Sequence, residues 1–167
     1  MLSAAVLCSL TGCGYHTAGS ATHIPANVHT IAVPVFATHV LAYRTEMALT
    51  QAVVRELDTR TKYRIVTGSN APADAVLSGT VLTQTNVPLT YDSTSGETPS
   101  YLVTLTVKVV LTARDGRVLY RNDALSYREQ YQSTQDLTGF IREDPAAVNR
   151  LARDFSQALV SDMLESF

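Results

Sequence analysis

Twelve residues near the middle of the chain restrict its fold more than any other segment. Tyr101, Val103, Leu105, Val107, Val109 and Leu111 alternate with Leu102, Thr104, Thr106, Lys108, Val110 and Thr112. Successive side chains of an extended strand point to opposite faces, so this alternation predicts a long strand with one buried side and one polar side. Asp115-Gly116 supplies a hairpin turn, and Val118 to Tyr131 returns as the antiparallel partner. The alternation slips near Asn122-Asp123, where a bulge or a break is expected.

Around this hairpin the other elements fall into place. Thr30 to Phe36 (TIAVPVF) reads as a buried strand, with Pro34 arguing for an edge or a bulge. Tyr43 to Arg60 reads as a helix, with Leu49, Val53 and Leu57 on one face and Met47 and Val54 beside them. Tyr63 to Thr67 and Ala75 to Thr85 are further strands, Gly79 marking a bulge or a close approach. Asn86 to Pro99 is polar and turn-rich and reads as a long exposed connection. A last helix is predicted to start with Asp144 as cap and Pro145 in the first turn, with Val148, Leu151, Ala152, Phe155, Leu159 and Met163 as its apolar stripe. The order β-α-β-β-β-β-α predicts an α+β two-layer sandwich. Two helices would pack on one face of a four- to five-stranded mixed, mostly antiparallel sheet, leaving the other face as a candidate partner surface.

The N-terminus is a separate matter. Met1 to Leu10 is apolar and leads to Leu10-Thr11-Gly12-Cys13, an aliphatic residue, two small residues and a cysteine. This is the lipobox pattern: small side chains let the backbone lie extended in a peptidase cleft, and the thiol accepts the diacylglycerol. The expected division is a signal peptide at 1–12, a lipidated tether at 13–28 beginning with acylated Cys13, and a single domain at 29–167. No Lys or Arg precedes the apolar run, as a start codon assigned too far downstream would explain. Ten apolar residues are too few to span a bilayer, which needs about 20.

Removal of 12 of the 167 residues leaves 155, enough for one domain with a real core. With a net charge of −2 and only two lysines, nothing in the composition advertises nucleic-acid binding. The only cysteines are Cys8 and Cys13, so the mature fold has no internal disulfide and must rely on packing.

No catalytic constellation is present. There is no Gly-x-Ser-x-Gly elbow, no phosphate-cradling loop and no paired-cysteine site, so neither an enzyme nor a cofactor is expected. The four histidines (His16, His23, His29, His39) are spaced seven, six and ten apart, which matches no close-spaced metal-ligand motif. Two sets of residues remain as candidates. Tyr101, Tyr120, Tyr127 and Tyr131 sit on or beside the hairpin, either as ordinary strand residues or as an amphipathic partner surface. Arg114 and Arg117 flank its turn and Lys108 lies along it, either as solvated strand ends or as a basic tip that meets phosphates. Arg142, before the last helix, is a further candidate for that site.

Taken in order, these segments resemble the LptE family of lipopolysaccharide assembly. Cys13-Gly14-Tyr15-His16 is similar to the family's Cys-Gly-Tyr/Trp-His start, and Ala73-Asp74-Ala75-Val76-Leu77-Ser78-Gly79 to its Ala-Asp-x-x-Leu-x-Gly segment. The strands at Thr30–Phe36 and Tyr63–Val66, the Tyr101 strand, the Asp-Gly hairpin and the alanine-rich C-terminal helix follow in family order. The resemblance implies a non-enzymatic outer-membrane lipoprotein facing the periplasm. It would plug and help assemble a large β-barrel, LptD, and bind lipopolysaccharide during delivery to the outer leaflet. Family members carry a basic residue in the loop before the Tyr101 strand, whereas Asn86 to Ser100 holds only Asp92 and Glu97 as charges. A second basic position, before the final helix, corresponds to Arg142. The competing expectation is a periplasmic regulator lipoprotein that activates a cell-wall enzyme. A flexible tether of fifteen residues, reaching only about 20 Å on average, argues against it.

Overall fold

The computed structural model describes residues 24–40, 45–68, 71–90, 100–132 and 137–165, with the backbone alone at 90, 131–132 and 137–145. Its elements are β1 (Thr30–Val33), β2 (Ala37–Thr38), α1 (Thr45–Arg60), β3 (Arg64–Thr67), β4 (Ala75–Thr90), β5 (Ser100–Ala113), β6 (Val118–Gln132) and α2 (Leu137–Glu165). The strands form one mixed sheet in the order β3-β1-β4-β5-β6, with β2 paired to β4 beyond the end of β1. Two helices and this open sheet make the expected α+β sandwich. The sheet has six strands rather than four or five, because β2 is a two-residue pairing too short to leave a pattern in the sequence.

The parallel and antiparallel parts have different origins. β1 and β3 are adjacent and parallel, with α1 as the crossover that parallel neighbours require. β4, β5 and β6 form a long antiparallel meander, and its ladders supply most of the sheet's paired residues. The slip expected near Asn122-Asp123 is a bulge. Val107 pairs with Leu125 and Val109 with Asn122, so Asp123 and Ala124 together oppose Lys108.

The core lies between the sheet and the helices. Val103, Leu105, Val107, Val109 and Leu111 of β5 are all buried, facing Leu49, Val53 and Leu57 of α1 and Leu151, Phe155, Leu159 and Met163 of α2. The intervening β5 residues are half-exposed, as period two demands. Helix α2 runs antiparallel to β6. Tyr120 reaches Asp162, the rings of Tyr127 and Phe155 meet edge to face at 5.7 Å, and Glu129 pairs with Arg150 at 2.7 Å.

Three local expectations are corrected. β1 is not an edge strand, since it lies between β3 and β4; Pro34 ends it, because a residue without an N–H cannot extend the ladder. β4 continues to Thr90, so the first five residues of the polar stretch, Asn86 to Thr90, are strand, and 91–99 lie outside the described residues. Pro88 is tolerated there because, among the described strands, this part of β4 has a neighbour only in β5. Finally, α2 begins at Leu137, not at Asp144. Pro145 therefore lies within the helix and offers no N–H to the carbonyl of Ile141.

Gly79 is a close-approach site rather than a bulge; the irregularities of the β4–β5 ladder fall between Val81 and Thr83 and between Pro88 and Thr90. A Cβ at Gly79 would overlap the ring of Phe36. That ring is buried, and its backbone N–H donates to Thr50 Oγ1 at 3.0 Å, which limits its retreat. Gly79→Ala is expected to cost about 1–3 kcal/mol by overpacking. Chemical denaturation checks it, with the cost partly recovered in a Gly79→Ala, Phe36→Leu double variant.

Candidate functional site

The sheet has helices on one face only. Residues of three strands line up across the other: Ser78, Val110 and Arg121; Thr83, Thr106 and Ser126; Thr85, Thr104 and Arg128; Val87, Leu102 and Gln130. These side chains are half-exposed or exposed. The surface is dominated by hydroxyls and small aliphatics with few charges. Among those, Asp123 pairs with two cations, Arg121 at 2.8 Å and Lys108 at 3.4 Å. A weakly charged, hydroxyl-bearing face of this kind is inexpensive to leave wet and loses little on desolvation against a polar partner.

The candidate tyrosines lie elsewhere. Tyr120 and Tyr127 share register with Leu111 and Leu105, the covered row. Tyr120 is only 6% exposed and donates its hydroxyl to Asp162 Oδ2 at 2.6 Å. Its phenol pKa is pushed well up, by burial first and by that carboxylate second. Burial likewise raises Tyr127, whose ring meets Phe155. Tyr101 is partly buried against the same core. Tyr120 and Tyr127 thus join the sheet to α2, and Tyr101 packs on the core; the fourth, Tyr131, pairs with Tyr101 in backbone register, and its side chain lies outside the described residues.

The basic candidates do not converge. Arg114 and Arg117 are exposed at the β5–β6 turn, where Gly116 adopts φ +87°. They border a small cavity of about 160 Å³ that also touches Pro25, Asn27, Val28, Asp74 and Asp115. The tip is pinned to the sheet by Arg114 N–H donating to the carbonyl of Asp74 at 2.8 Å. Lys108 is six residues back along β5, about 20 Å away, and engaged by Asp123. Arg142 lies in the first turns of α2, its side chain outside the described residues, while Asp162 lies near the tip end of that helix. Twenty residues of helix separate the two, about 30 Å. The tip and Arg142 therefore belong to opposite ends of the molecule. Cys13 lies outside the described residues, but the chain leading from it enters the fold at Ile24 and Val28, both buried, at the tip end.

Asp74 fixes that entry point. Its Oδ2 accepts from the backbone N–H groups of His29 and Thr30, both at 2.9 Å, and these bonds hold its pKa below the ordinary 3.8. A carboxylate with a depressed folded-state pKa stabilises the fold above its unfolded value and stops doing so as pH falls through the folded value. Asp74→Asn is therefore expected to flatten the acid limb of the stability profile below about pH 4, as urea titrations at stepped pH would reveal. An unchanged acid limb would mean that the two bonds contribute nothing.

Among the described residues no cluster of three or more His, Cys, Asp or Glu could hold a metal ion, and no helix is long and apolar enough to cross a membrane.

The fold is shared with several solved structures. Protein XCC0632 from Xanthomonas campestris superposes with a TM-score of 0.53 at 14% identity, over 89% of this chain and 90% of that one. Lipoprotein B from Nitrosomonas europaea gives 0.53 at 11% identity, over 91% of each chain. Protein CT253 from Chlamydia trachomatis gives 0.50 at 13% identity, over 83% of this chain and 99% of that one. At such identities the likeness is one of fold. No curated protein sequence matches the chain. The family model for lipopolysaccharide assembly, LptE, matches residues 28–163. The chain belongs to the LptE family.

Proposed function

We propose that this protein is a lipid-anchored plug and assembly factor for an LptD-type outer-membrane β-barrel, acting in lipopolysaccharide delivery to the outer leaflet without catalysis of its own. Membership of the lipopolysaccharide-assembly family supports the process. The observation that carries the plug role is the bare sheet face. It is broad, hydroxyl-rich and weakly charged, as suits a domain lodged in the water-filled lumen of a barrel.

In this reading residues 1–12 are removed, Cys13 is acylated, and the tether to Val28 holds the domain at the inner leaflet of the outer membrane. The chain enters beside Arg114 and Arg117, so the tip faces the anchoring leaflet, where guanidinium groups meet phosphates in charge-assisted bonds. Arg142, at the other end, meets lipopolysaccharide at a separate site, because about 30 Å of helix lies between the two.

Co-purification tests the reading. Tagged full-length protein extracted from native membranes in mild detergent should retain a large β-barrel at near-equal stoichiometry. Recovery of the protein alone, or with a soluble cell-wall enzyme, would refute it.

A further inference from the structure

A groove of about 290 Å³ lies on the far side of the domain from the β5–β6 hairpin, where α1 overhangs the edge of the sheet. β3 is only four residues long, and the chain turns away at Gly68, which adopts φ +124°. β1 stops at Val33, yet the chain continues through Pro34 and Val35. The result is a trough walled by Val33, Val35, Met47 and Val54, with Arg55 at its rim. Val35 is 64% exposed and Met47 42%, an unusual display for apolar side chains this close together.

The polar groups of the trough decide what fits. The segment that follows β1 beside the groove has little to offer a peptide strand. Pro34 has no N–H, the Phe36 N–H is taken by Thr50 Oγ1 at 3.0 Å, and that hydroxyl in turn donates to the carbonyl of Glu46 at 2.6 Å. A strand laid along that segment would leave backbone groups unpaired, which is costly, whereas a hydrocarbon chain has none to satisfy. The volume is at the lower limit of small-molecule sites, enough for one chain and not for a whole lipid. Arg55 is exposed and has no ion-pair partner among the described residues. An apolar trough with a cationic rim matches an acyl chain joined to an anionic head.

We infer that this groove takes one acyl chain of lipopolysaccharide, with Arg55 meeting a phosphate of its head; this rests on the lipopolysaccharide role proposed above. A photoreactive benzoylphenylalanine at Met47, and separately at Gln51, in the full-length protein in native membranes tests it. Both positions line the groove, and Met47 and Gln51 are already exposed, so the fold should tolerate the change. The expected result is a lipopolysaccharide adduct at both positions, reduced about tenfold by Arg55→Glu. No adduct, an adduct to phospholipid alone or to protein alone, or a lipopolysaccharide adduct indifferent to Arg55→Glu would overturn it. If the barrel still co-purifies with a variant that gives no lipid adduct, the groove assignment fails and the plug role stands. If neither barrel nor lipopolysaccharide is captured, both fail.

Discussion

Phe155→Ala should remove about 3–5 kcal/mol of folding free energy, the largest single loss expected at any position discussed above. The ring is fully buried at the centre of the contact between α2 and the sheet, edge-on to Tyr127. Truncation leaves a cavity that Tyr127 cannot fill without abandoning its place between the sheet and α2. Because domains of this size are stable by only about 5–15 kcal/mol, the variant should show a clearly lower urea midpoint with the slope unchanged. A loss below about 1 kcal/mol would mean that α2 contributes little to the core.

The largest functional effect should come from a position that contributes little to stability. Thr106 sits near the middle of the bare face, between Thr83 and Ser126 in register. Thr106→Arg places a further cation beside Lys108 and Arg128, on a face where, among the described residues, Asp123 is the one carboxylate against Lys108, Arg121 and Arg128. Its folding cost should stay within about 0.5 kcal/mol, as for most surface changes. Retention of the barrel partner should fall at least tenfold, about 1.4 kcal/mol of binding. Far-UV circular dichroism and co-purification, measured side by side, separate the two effects. Equal retention by wild type and variant would take the bare face out of the interface.

Much of this architecture was legible in the residues, and the exceptions have physical causes. The β5 alternation, the Asp115-Gly116 turn and the bulge at Asp123 could be read directly, because period two and turn chemistry are local properties. So could the apolar stripe of α2 from Val148 to Met163. The reach of β4 was hidden because Asn86 and Pro88 are turn formers that a strand with a single neighbour still accepts. The start of α2 was hidden by Asp144-Pro145, a strong helix-start signal that here lies inside a helix beginning at Leu137.

The sites were less legible than the fold. Strand direction and register decide which way a tyrosine faces, so Tyr120 and Tyr127 could be placed on the hairpin but not on its covered side. Likewise, Arg114, Arg117 and Arg142 are all basic and all near turns or helix starts. Only the antiparallel run of α2 along β6 separates them to opposite ends. The groove beside Arg55 had no sequence signal at all, since Val35, Met47 and Gly68 come together only through the β1-α1-β3 crossover.

The most direct test of the central claim, that the helix-free side of the sheet is the surface held by a barrel, is site-specific crosslinking from Val110 in native outer membranes. Val110 is half-exposed on that side, between Ser78 and Arg121. A photoreactive residue there should give one dominant adduct whose partner, identified by mass spectrometry, is a large β-barrel protein. Illumination that yields no barrel adduct from Val110, while the protein remains folded and membrane-bound, would contradict it.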